Sequence, residues 1–175
     1  MLARIDTGSE LTITMLSTGT QAPDFTLPGI ESAHDDDIHL YELSERLVET
    51  PVLLNFYLFD FHPACTDNLC NIHDLSWFTV DESISVFAIS TDRIFSHREF
   101  GQQQHLDFPL LSDSDGTVAE SYDVLYDEFR DHKRIAKRAV FVIDTDQVIQ
   151  YAWSTDDPSD QPDWEPVQEA VNTLV

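Results

Sequence analysis

The chain is poor in cysteine, lysine and glycine. Its 175 residues include two cysteines, Cys65 and Cys70, and five glycines, and nine basic residues stand against 33 acidic ones. Lys133 and Lys137 are the only lysines. Each shortage excludes something. Two cysteines are too few for the disulfide framework of a small secreted domain, so a disulfide here is expected to be transient and chemical. Five glycines, with no G-x-G-x-x-G and no P-loop, leave nucleotide binding without support. No apolar run approaches a membrane span, and the opening MLARIDTGSELTITM has no apolar core of signal-peptide length. A formal charge of −24 repels nucleic acid and anionic membranes, so neither is an expected partner. These features predict a cytoplasmic protein.

Hydrophobic residues make up 42% of the chain, which marks it as globular rather than as a disordered acidic tail. The acidity has two readings: a local acidic patch, or a surface adapted to molar salt, where screening over roughly 3 Å removes self-repulsion. The carboxylates are scattered from end to end, which favours the salt-adapted surface.

With no internal repeat and no long linker, residues 1–175 read as a single domain. HDDDIH, residues 34–39, is a polar turn. PVLLNFYLF, residues 51–59, and SVFAIST, residues 85–91, are apolar runs expected of strands buried on both faces. Pro63 opens a helix predicted to reach about Phe78. A second helix is predicted from Ile94 to His105, then a short strand FPLL, residues 108–111, and a small helix TVAESYDV. AVFVID, residues 139–144, and VIQYAW, residues 148–153, form a hairpin, and a C-terminal helix starts near Trp164. The order predicts an α/β protein of thioredoxin-like fold, a mixed central sheet flanked by helices. DSDG, residues 113–116, is a turn rather than a calcium loop, because its glycine comes too early and no glutamate closes it.

Both cysteines lie in DFHPACTDNLC, residues 60–70. Five residues along a helix advance it by about 7.5 Å and turn it by about 500°, which leaves the two α-carbons roughly 8–9 Å apart. A disulfide tolerates at most about 7 Å, so this pair closes only if the first helical turns unwind. Cys65 lies in the first turn, where free N–H groups and the helix dipole favour an anion and should lower its thiol pKa. Cys70 lies deeper and lacks that help. An activated thiol with a delayed partner suits sulfenic acid chemistry. A rival reading is a metal-binding module, of the copper-chaperone kind, using His62, Cys65, Cys70 and His73. On one helix, however, the two cysteines point about 140° apart, which spoils a shared coordination sphere. A thioredoxin-like disulfide oxidoreductase is a further alternative, but it lacks a C-x-x-C.

YLFDFHPACTDNLC resembles the active-site segment of peroxiredoxins of the bacterioferritin-comigratory type, Y-P-x-D-x-T-P-G-C-T-x-E-x-C. Tyr57, Asp60, Pro63, Cys65, Thr66 and Cys70 match it. GTQAPDFTL, residues 19–27, is similar to the family's opening strand. FPLLSDSDGTVAESYDV, residues 108–124, looks like the segment before its last strands, and KRAVFVID places Arg138 at the family's active-site arginine. The resemblance implies a thiol peroxidase with no metal or bound cofactor, acting on hydrogen peroxide or organic hydroperoxides. Cys65 would be peroxidatic and Cys70 resolving, and a thioredoxin-like protein would reduce the resulting disulfide. Arg138 would depress the thiolate pKa and orient the peroxide. The chain would act as a monomer or homodimer. His62 stands where the family has a threonine, and its imidazole is the expected substitute donor to the peroxide. Leu58 and Asn68 also depart from the pattern. RDHKRIAKR, residues 130–138, holds five of the nine basic residues and reads as a loop leading to Arg138, with docking of an acidic thioredoxin as the other possibility.

Overall fold

The structure, a computed structural model, describes residues 16–31, 37–74 and 83–175. Part of the 34–39 turn and the predicted helix beyond Asp74 lie outside them. In chain order the elements are β1 (Thr26–Ile30), β2 (His39–Glu42), α1 (Leu43–Leu47), β3 (Val52–Phe56), α2 (Pro63–Asp74) and β4 (Ser85–Ser90). Then come α3 (Ile94–Gln104), β5 (Leu110–Ser112), α4 (Thr117–Ser121), β6 (Leu125–Phe129), β7 (His132–Ala136), β8 (Arg138–Ile143), β9 (Ile149–Thr155) and α5 (Trp164–Leu174). Seven strands form one sheet in the order β2-β1-β5-β4-β3-β8-β9. β3 runs parallel to β4 and antiparallel to β8, so the sheet is mixed, as expected.

The apolar run at β3 is buried along its whole length because both faces of the sheet are covered. Its alternation divides the core. Val52, Leu54 and Phe56 pack with Leu43 and Leu47 of α1 and Val118 and Ala119 of α4. Leu53 and Tyr57 pack on the opposite face with Cys65, Leu69 and Ile72 of α2, Phe100 of α3, and Val167 and Val171 of α5. Each fully buried aliphatic or aromatic side chain there contributes about 1.5–3 kcal/mol. The second face is the one that matters for chemistry, since Cys65 belongs to its core.

Two expectations need correction. The opening strand occupies Thr26–Ile30 rather than residues 19–27. Upstream of it, Gly19 and Ala22 hydrogen-bond through their N–H groups to the carbonyls of Ile149 and Gln147, and Pro23 has no N–H for a ladder. The basic segment 130–138 is not a loop. β6 and β7 form a two-stranded hairpin whose turn, Arg130 and Asp131, has positive φ at both residues, 47° and 65°.

Candidate active site

Pro63 opens α2, where its missing N–H costs nothing, and Cys65 follows in the first turn. The His62 carbonyl accepts from the N–H groups of Cys65 and Thr66 at 3.0 and 2.8 Å. Just upstream, Phe61 takes φ +63°, a conformation that costs a bulky residue on the order of 1–3 kcal/mol. Its ring packs edge-on against Phe100 at 5.1 Å. The turn that delivers Cys65 is therefore strained and held by its neighbours.

Cys65 is fully buried, Cys70 is half-buried, and both are free thiols. α2 is continuous from Pro63 to Asp74, so the helical separation derived from the sequence applies and the thiols cannot bond without unwinding. Burial pushes the Cys65 thiol up. Backbone N–H groups of Phe59 and Leu58 and the cation of Arg138 pull it down, while Asp92 pushes it up again. The balance is upward, so the expected lowering at the helix start is overturned by desolvation. The two thiols still differ in their neighbours. Burial also raises Cys70, and the nearby charges there, Asp74 and Asp67, are both anionic.

Arg138 stands at the first residue of β8 and is 2% exposed. Its Nη1 donates to the Pro158 carbonyl at 3.1 Å, and its Nη2 to the Ala64 carbonyl at 3.2 Å and Gln161 Oε1 at 3.0 Å. These acceptors are all neutral. Burial lowers its pKa, and the Cys65 and Asp160 anions work against that. A buried guanidinium held this way keeps its charge available to the thiol beside Ala64.

His62 is half-buried, and its Nδ1 is a buried atom with no hydrogen-bond partner among the described residues. Burial lowers its pKa, as do the Arg130 and Arg138 cations, so the ring is neutral at neutral pH. The other proposed metal donor, His73, turns to Asp107 Oδ1 at 2.9 Å, and Cys70 Sγ faces Gln104 Oε1 at 3.6 Å. His62, Cys65, Cys70 and His73 therefore do not converge. Among the described residues no three histidine, cysteine or carboxylate side chains gather in a metal-holding group.

The basic hairpin is largely neutralised. Lys133 pairs with Glu128, Arg134 with Glu120 at 3.0 Å and Lys137 with Asp156 at 2.5 Å, while Arg130 lies over the Phe129 ring. His97 belongs to no motif in the sequence. It is in fact fully buried against Asp60. Its position three residues before Phe100, on the same face of α3, was the available signal.

The chain matches the AhpC/TSA family over residues 18–152. A Coxiella burnetii protein assigned as peroxiredoxin bcp is 36% identical over 141 residues, which cover 79% of this chain and 88% of that protein. The crystal structure of peroxidoxin BcpB from Mycobacterium tuberculosis superposes with a TM-score of 0.73 at 31% identity, covering 91% of this chain and 96% of that one. Mycobacterium tuberculosis AhpC, at 22% identity and TM-score 0.75, shares the fold.

Proposed function

The chain belongs to the AhpC/TSA family of peroxiredoxins, of the bcp type and with a thioredoxin-like fold, and is a thiol-dependent peroxidase; we propose that Cys65 is its peroxidatic thiol and Cys70 its resolving thiol. The Cys65 thiolate attacks the distal oxygen of the hydroperoxide and the O–O bond breaks. The leaving oxygen takes a proton and departs as water or an alcohol, and Cys65 becomes a sulfenic acid. Once the first turns of α2 unwind, the Cys70 sulfur attacks the Cys65 sulfur, water leaves, and a disulfide joins the pair. A dithiol protein of the thioredoxin class then supplies two electrons and two protons to restore both thiols.

One observation carries this reading. A fully buried arginine bonded to neutral acceptors sets its charge against one of the two thiols, Cys65. His62 donates to the bound peroxide in place of the family threonine, and its Nδ1, without a partner among the described residues, supports that role. The scattered carboxylates support a salt-adapted surface, the lack of repeats and long linkers supports a single domain, and two cysteines without a disulfide framework support a reducing cytoplasm.

Stopped-flow peroxide assays test the assignment. Cys65→Ser is expected to abolish peroxide consumption. Cys70→Ser should still form a sulfenate that a dimedone probe traps, but should stop after one turnover. Full turnover in both variants would end the assignment. His62→Thr is expected to keep or lower the peroxide rate constant; a higher one would contradict the role given to the imidazole.

A further inference from the structure

A buried polar cluster lies immediately upstream of the reacting helix, and apart from the Asp92 charge felt by Cys65 it is not used in the thiol chemistry above. Asp60, in the turn between β3 and α2, accepts from the Tyr57 hydroxyl at 2.7 Å and from the Ser96 hydroxyl at 2.6 Å. His97 Nδ1 lies 2.9 and 3.1 Å from its two oxygens. The other ring nitrogen, Nε2, is 3.0 Å from the Leu111 carbonyl. A carbonyl only accepts, so Nε2 carries the proton that faces Leu111, and Nδ1 faces the Asp60 carboxylate with the Tyr57 hydroxyl 3.3 Å away. The side chains of His97 and Asp60 are 0% and 1% exposed. The Asp60 N–H donates to Asp92 Oδ2 at 2.9 Å, and the Ser90 hydroxyl donates to the same oxygen.

The cluster thus ties the turn that leads to Cys65 to four other places: the end of β3, the end of β4, α3 and β5. Downstream, α2 is held by a weak thiol contact of 3.6 Å from Cys70 to Gln104 and by a solvent-exposed contact of 2.9 Å from His73 to Asp107, weaker holds than the buried cluster. The two ends of the reacting segment are held unequally. We infer that Asp60 and His97 are positioning residues for Cys65: their buried contact anchors the upstream end of the segment, so that opening begins after Asp60 and occurs rarely enough for peroxide to react first. The anchor acts through Cys65 and touches no substrate. It sets the balance between two steps, fast oxidation in the closed helix and slower disulfide formation in the opened one. The inference rests on the Cys65–Cys70 cycle proposed above.

Asp60→Asn and His97→Gln test it, with sulfenate formation and disulfide formation followed separately by rapid mixing of the full-length chain with hydrogen peroxide. A loosened anchor is expected to speed disulfide formation by about tenfold and to slow sulfenate formation only slightly, since a local-opening change of about 1.4 kcal/mol is tenfold in the population of a rare open state and takes little from the closed one. Sulfinic acid at Cys65 under excess peroxide, read by mass spectrometry, should fall accordingly. A purely structural role would slow both steps together, and that result, or two unchanged rate constants, overturns the inference. Should either substitution prevent folding, Tyr57→Phe removes one donor to Asp60 while keeping the ring. It is expected to shift the two rates in the same opposite directions by less, and an unchanged ratio overturns the anchor. Wild-type protein that forms no Cys65–Cys70 disulfide would instead remove the cycle beneath it, a different and distinguishable failure.

Discussion

A guanidinium that is almost completely buried and bonded to two carbonyls and one amide is expensive to keep unless an anion forms beside it. Arg138→Gln should therefore raise the Cys65 thiol further, because the cation that pulls it down is gone. Peroxide reactivity at pH 7 is expected to fall about tenfold for each pK unit of that rise. The sign of the wild-type pH profile follows from the same balance. A thiol held above its ordinary range is mostly protonated at neutrality, so the rate constant should climb with pH through about 8.5 and beyond. A rate constant already level below pH 7 would contradict it. At this scale the candidate residues Cys65, Cys70 and Arg138 stand out in the sequence because a short motif names residue types directly. The direction of the Cys65 shift does not, since burial depends on Leu53, Tyr57 and Phe100, which the chain brings in from other elements.

The element on which the proposed cycle depends is α2. Its helical continuity keeps the thiols apart, so the oxidised protein must surrender backbone hydrogen bonds in its first turns. Amides from Cys65 to Cys70 should lose hydrogen-exchange protection when the disulfide forms, while those of β3 and β8 keep theirs; protection retained throughout α2 would argue against unwinding. The strain at Phe61 places a weak point at the near side of that opening. The apolar runs of β3 and β4 and the proline start of α2 were plain in the sequence because each is a local signal. The β6–β7 hairpin was not. Its turn uses Arg130 and Asp131 at positive φ, without the Asn-Gly or Asp-Gly pair that normally announces such a turn, and its strands are too exposed to show a clean alternation. The pairing of Asp60 with His97, 37 residues apart, was equally invisible, because only the fold makes them neighbours.

For the whole molecule the governing quantity is its formal charge of −24. Self-repulsion of that size is relieved by screening, so the melting temperature should rise steadily as salt is raised from dilute buffer toward molar concentrations, where the Debye length shrinks to about 3 Å. A far-UV spectrum and melting temperature indifferent to dialysis into dilute buffer would count against a salt-adapted surface. Composition made this charge obvious and left its distribution to the fold, which spends part of the scarce basic charge on Glu120, Glu128 and Asp156 around the hairpin. Turnover, too, belongs to the whole chain, because opening α2 must leave the sheet intact. Peptide mapping by mass spectrometry after one equivalent of hydrogen peroxide therefore tests the central claim most directly. The account predicts Cys65 joined to Cys70 within one chain; two surviving thiols, or bonds only between chains, would contradict it.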